Sequence, residues 1–106
     1  MAAKNINKVE FAHLISQDKP VLIDFWAPWC GYCRRIVPAY DRVAVEQNDG
    51  EIVKLNIDEE PLIAHQERSE VIPTLVLYKG GQAIGSIVAP ESKAAIDSFL
   101  RENLAR

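Results

Sequence analysis

The sequence predicts an α/β fold, a central mixed β-sheet flanked by helices on both faces. The run Val21-Leu22-Ile23-Asp24-Phe25-Trp26 is β-branched and aromatic without clean alternation, which suits a strand covered on both sides. Apolar residues at helical spacing follow it, then a second β run, and such a βαβ unit requires parallel strands. Further on, Gly80-Gly81 separates two more β runs by a tight turn, which makes that pair antiparallel.

The elements follow in order. Asn7 caps a first helix over about 8 to 17, with Glu10 placed for a capping box and Phe11, Leu14 and Ile15 on one face. Pro20 opens the central strand. After Pro28, the positions Cys33, Ile36, Val37, Tyr40, Val43 and Ala44 repeat at three and four, the face of one long helix that Pro38 should kink. Ile52 to Ile57 reads as a strand, Pro61 to Glu67 as a short helix, and Thr74 to Tyr78 with Gln82 to Val88 as a hairpin. Ser92 caps a closing helix whose stripe is Ile96, Phe99, Leu100 and Leu104.

At 106 residues and 48% apolar content, the chain is read as a single domain over 1-106. A formal charge of -3 with no block of either sign gives no basic field for nucleic acid. Lys4, Lys8, Glu10, His13, Asp18 and Lys19 interrupt the opening segment, unlike a secretory leader. The run from Val21 to Trp29 is too short for a bilayer and carries Asp24. A cytoplasmic monomer without membrane contact is expected.

Two cysteines are too few for a disulfide-stapled secreted fold, but Cys30 and Cys33 stand one helical turn apart. Cys30 falls where the strand has ended and the helix begins, the N-cap position. Its sulfur there faces the amides of Tyr32 and Cys33, and these with the helix dipole favour a thiolate. That makes Cys30 the nucleophile. Cys33 shares the apolar stripe with Ile36 and Val37, should be less exposed, and can resolve a mixed disulfide on Cys30. A zinc half-site is the competing reading of such a pair, but His13 and His65 fall on separate helices and no second cysteine pair exists to complete four ligands.

Asp24 is a charged group in a strand read as buried, a candidate for a raised pKa and proton transfer unless it reaches water at a strand edge. Lys54 reads equally as a stem lying on apolar surface with its ammonium in water. Pro73 fits the first residue of a strand, where its missing amide is tolerated.

The segment from Val21 through Trp26 to Ala27-Pro28-Trp29-Cys30-Gly31-Tyr32-Cys33 resembles the active-site segment of the thioredoxin family. Pro38, Lys54-Leu55-Asn56-Ile57-Asp58, Ile72-Pro73-Thr74 and Lys79-Gly80-Gly81 extend the resemblance, in the family's order, over nearly the whole chain. It implies the thioredoxin fold. It also implies that Asp24 is a buried carboxylate moving a proton from the resolving thiol, that Lys54 is its basic modulator, and that Pro73 is a cis-proline facing the cysteines. Trp29, Gly31, Tyr32, Ile72, Pro73 and Ala89 are the substrate-binding positions so implied, with the Ile72 backbone pairing with a substrate peptide.

Two positions depart from the family. Tyr32 stands where proline is usual, and it restores an amide donor beside the Cys30 sulfur. A hydrogen bond to a charged group contributes about 1.5 to 3 kcal/mol, so the potential is expected to rise by about 30 to 60 mV above the reference thioredoxin value of about -270 mV. Ala89 aligns with a groove glycine, and its methyl would narrow the groove. Arg34, where the family often has lysine, keeps the charge.

The expected function is thiol-disulfide exchange, reducing protein disulfides through a Cys30-Cys33 dithiol/disulfide cycle without a bound cofactor. A thioredoxin-reductase-type donor would recharge it. Tyr32 also resembles the Pro-Tyr spacer of glutaredoxin, which leaves a glutathione-coupled enzyme as an alternative. A non-redox binding scaffold and a dimer sharing metal between two cysteine pairs are further alternatives.

Overall fold

The structure is a computed structural model that describes residues 3–47 and 51–105. A short strand β1 (Lys4–Asn5) leads into α1 (Lys8–Ile15), β2 (Val21–Trp26), α2 (Gly31–Arg35) and α3 (Val37–Glu46). Then come β3 (Glu51–Asn56), α4 (Pro61–Gln66), the hairpin β4 (Thr74–Lys79) and β5 (Gln82–Val88), and α5 (Lys93–Leu104). The strands form one five-stranded sheet in the order β1-β3-β2-β4-β5. β1, β3 and β2 run parallel, while β4 and β5 are antiparallel to their neighbours. This is the mixed sheet of the thioredoxin fold.

β2 sits at the centre because all but its last residue are buried. Leu22 joins Leu75, Leu77, Tyr40, Val43, Ile96 and Phe99 in the core between the sheet and α3 and α5. Val21, Ile23 and Phe25, one residue out of step, join Phe11, Ile63, Val76 and Tyr78 in the core beneath α1 and α4. The missing alternation in the sequence therefore reflects two separate cores.

The helix caps follow the sequence closely. Asn7 and Glu10 close the full capping box, with Asn7 Oδ1 accepting from the Glu10 amide at 2.9 Å and Glu10 Oε1 accepting from the Asn7 amide at 3.0 Å. α1 ends at Ile15, short of the predicted 17, where Ser16 Oγ donates to the His13 carbonyl at 2.7 Å. Ser92 Oγ accepts from the Ala95 amide at the start of α5, at 3.1 Å. Gly80 and Gly81 take left-handed φ values of 63° and 82°, the demand of a tight hairpin turn.

One expectation is corrected and one element is added. The single long helix kinked at Pro38 is instead two helices meeting at Ile36, which is both the C-cap of α2 and the N-cap of α3. Proline cannot donate to the Arg34 carbonyl, whereas in the first turn of a new helix its missing amide costs nothing. The strand β1 is an addition to the predicted elements. Its two exposed residues carry no pattern of their own, and only pairing of Lys4 and Asn5 with Val53 and Lys54 makes them a strand.

Candidate active site

β2 delivers the chain to a tight turn in which the Cys30 amide donates to the Ala27 carbonyl at 3.1 Å. Cys30 then takes extended backbone angles, φ -87° and ψ 110°, and caps α2. Its Sγ accepts from the Cys33 amide at 3.1 Å. Cys30 and Cys33 are joined as a disulfide with their Cα atoms 5.2 Å apart. Cys30 is 9% exposed and Cys33 1%, the order expected from their positions.

The N-cap geometry differs from the expected one in a single donor. Both the Tyr32 and the Cys33 amides are expected to donate to the Cys30 sulfur, but only the Cys33 amide does so. In the disulfide state the Cys30 sulfur thus accepts from the third helical amide alone. Tyr32 contributes through its side chain: its hydroxyl donates to the Pro90 carbonyl at 3.0 Å, and the Arg35 guanidinium lies 5.9 Å from its ring centre.

The loop before β4 approaches from the other side. The Ile72-Pro73 peptide is cis, and the Ile72 carbonyl oxygen lies 4.0 Å from Cys30 Sγ. Pro73 is buried immediately before β4. Its carbonyl accepts from the Ala89 amide at 2.9 Å, which ties this loop to the end of β5. Ala89 holds a left-handed φ of 46°, a region that favours glycine.

Trp29 is 65% exposed beside Cys30, and its Nε1–H donates to both carboxylate oxygens of Asp58, at 3.1 and 3.2 Å. Gly31 is exposed, and a Cβ there would meet nothing within 4 Å. These positions therefore share the surface around the disulfide. Asp58 is not among the predicted site residues, although it closes the Lys54 to Asp58 segment that resembles the family. A carboxylate in a loop has no periodicity to mark it until its indole partner is located.

Asp24 stands opposite Lys54 in the parallel pairing of β2 and β3. Its side chain shares the sheet face of Leu22, is 1% exposed, and leaves Oδ1 without a hydrogen-bond partner. Burial pushes its pKa from 3.8 up to about 7, and Lys54 pulls the other way. Lys54 is half-buried, with its ammonium 5.3 Å from the Trp26 ring centre. Tyr40, read from the sequence only as part of an apolar stripe, also belongs to this neighbourhood. Its hydroxyl lies 2.6 Å from the Val53 carbonyl and 3.1 Å from that of Leu22, and burial, then the charge of Asp24, raise its pKa well above the usual value. His13 and His65 lie exposed on two different helices, α1 and α4.

A helix-capping cysteine joined to a buried one, beside a cis-proline loop at the end of a mixed sheet, defines a protein-disulfide oxidoreductase of the thioredoxin fold. The thioredoxin family model matches residues 2–102. The chain is 43% identical over 93 residues to thioredoxin 1 of Nostoc sp., covering 86% of each protein. It is 44% identical over 94 residues to thioredoxin of Streptomyces clavuligerus, covering 88% of each. A bifunctional thioredoxin reductase/thioredoxin of Mycobacterium leprae is 42% identical over 87 residues, which span 81% of this chain and 19% of that protein. The oxidized form of mitochondrial thioredoxin 3 from Saccharomyces cerevisiae superposes with a TM-score of 0.83 at 34% identity, covering 94% of each chain. The chain belongs to the thioredoxin family, and it is a thiol-disulfide oxidoreductase.

Proposed function

We propose that the two sulfurs have unequal roles in the reduction of protein disulfides. The Cys30 thiolate attacks one sulfur of the substrate disulfide, forms a mixed disulfide and releases the other substrate sulfur as a thiolate. The Cys33 thiolate then attacks the Cys30 sulfur, closing the Cys30-Cys33 disulfide and releasing the second substrate thiolate. Two electrons pass to substrate in each cycle. The observation that carries the assignment is the N-cap geometry: Cys30, the more exposed sulfur, already accepts the Cys33 amide at the positive end of α2.

Asp24 supplies the proton chemistry. With a pKa of about 7 it can accept the proton of Cys33 and return it near neutral pH, and Lys54 adjusts that value by its charge. Trp29, Gly31, Tyr32, Ile72, Pro73 and Ala89 form the surface on which the substrate chain docks. The Ile72 carbonyl beside Cys30 supports pairing of a substrate backbone with that loop.

The partners are disulfide-bearing proteins and a reductase of the thioredoxin-reductase type. The Mycobacterium leprae relative, which is named for both activities, supports that pairing. The protein acts as a single-domain monomer in the cytoplasm, and among the described residues no helix is long and apolar enough to cross a membrane. Its potential lies above that of a thioredoxin with proline at position 32. This reading rests on the Tyr32 amide, which proline lacks, donating to the Cys30 thiolate once the disulfide is reduced; a bond made only in the reduced state raises the potential.

Serine variants test the roles directly. Cys33→Ser should accumulate a mixed disulfide between Cys30 and a protein substrate, visible as a covalent adduct by mass spectrometry. Cys30→Ser should form none and lose reductase activity. A stable adduct on Cys33 in the Cys30→Ser protein, with normal turnover, would reverse the assignment.

A further inference from the structure

The disulfide is framed by residues 28–33, by the Ile72-Pro73 loop and by residues 89–90, which follow β5. Tyr32 joins the first of these to the last. Its backbone belongs to the first turn of α2, while its hydroxyl donates to the carbonyl of the buried Pro90 at 3.0 Å. The ring packs against the core beneath α3 and α5, with the Arg35 guanidinium 5.9 Å from its centre. The side chain is thus held at its base, over its ring and at its tip.

Proline lacks an amide, so residues 89 and 90 carry one backbone donor and two carbonyls, and the donor and one carbonyl are already engaged. The Ala89 amide is taken by the Pro73 carbonyl at 2.9 Å, and the Pro90 carbonyl by Tyr32. Proline at position 32, the family's usual residue, has no hydroxyl and cannot reach across. We propose that Tyr32 is a specificity-determining strap, which closes the 89–90 side of the groove and favours small or flexible disulfides over those of bulky proteins. A large substrate needs both sides of the groove and must break the strap. A small disulfide reaches Cys30 from the Trp29 and Ile72 side and leaves it intact. This inference rests on the docking surface and the Cys30 attack proposed above.

The test compares single-turnover rate constants of the pre-reduced chain toward insulin and toward hydroxyethyl disulfide, followed by mass spectrometry of quenched samples. Their ratio cancels effects of Tyr32 on thiolate reactivity, which act on both substrates alike. Tyr32→Phe removes only the hydroxyl and should raise the insulin to hydroxyethyl disulfide ratio by about three- to tenfold, the factor that one neutral hydrogen bond supports. Tyr32→Pro should shift the ratio in the same direction. A Tyr32→Phe ratio that is unchanged or lowered overturns the strap. Cys30→Ser distinguishes the two levels: if it still reacts with both disulfides, the attack assignment has failed, whereas its inactivity with an unchanged Tyr32→Phe ratio removes the strap alone.

Discussion

Asp24 and Lys54 face each other across β2 and β3, yet Asp24 is 1% exposed and one of its carboxylate oxygens has no hydrogen-bond partner. Burial outweighs the nearby positive charge, and the carboxyl titrates at about 7. The folded state therefore holds this proton more tightly than the unfolded chain. A group whose folded pKa is raised from 3.8 to about 7 contributes stability that is complete below about pH 4 and is lost as pH rises toward 7. A displacement of that size has a ceiling of roughly 4 kcal/mol. Asp24→Asn in the oxidised protein should flatten this slope, so that variant and parent differ most at pH 8 and least near pH 4. Urea unfolding at several pH values reads the slope, and parallel slopes would refute the raised pKa.

The same carboxyl gives a kinetic expectation. If Asp24 moves the Cys33 proton, Asp24→Asn should slow release of the mixed disulfide by on the order of a hundredfold at neutral pH, the lower end of general acid-base contributions. Formation of that mixed disulfide on Cys30 should be much less affected. Quenched-flow separation of the two steps decides it, and equal slowing of both would assign Asp24 another role.

Lys54 lowers the Asp24 pKa through its charge. Lys54→Met should raise the carboxyl midpoint, which carbon NMR of the Asp24 side chain follows directly. A midpoint that stays in place, or falls, would show that the ammonium is screened where it lies over Trp26.

Ala89 and Arg68 hold φ values of 46° and 56°. The left-handed region costs a residue with a Cβ about 1 to 2 kcal/mol, partly offset by the greater freedom of glycine in the unfolded chain, about 0.5 to 1 kcal/mol. Ala89→Gly and Arg68→Gly should each stabilise the protein by about 0.5 to 1 kcal/mol, read from urea midpoints. A lower midpoint for Ala89→Gly would show that its methyl contributes packing worth more than the backbone penalty.

The Tyr32 amide makes no bond to the Cys30 sulfur in the disulfide state, the condition under which a bond to the thiolate shifts the potential fully. Redox titration against glutathione should place the couple between about -240 and -210 mV, with Tyr32→Pro lower by about 30 to 60 mV. A parent value at or below about -270 mV contradicts this.

Asn7, Ser92 and the glycine pair at 80 and 81 are legible as caps and turn in the sequence because each solves a local backbone problem within a few residues. The Cys30 and Cys33 positions are legible for the same reason, being set by one turn of helix. Pro38 is visible but ambiguous, since whether a proline kinks a helix or starts a new one depends on how the flanking turns pack. Asp58 and Pro90 carry no such local signal, because they reach Trp29 and Tyr32 only through long-range approach of separate loops.

By itself, the sequence determined the α/β order, the central strand and the redox pair, all written in residue type and short spacing. Tertiary structure alone decided that Asp24 lacks a partner on one oxygen, that β1 exists, and that the Tyr32 hydroxyl ends on Pro90. The reason is physical: desolvation and long-range hydrogen bonds depend on what surrounds a group in space, and no local pattern of side chains carries that information.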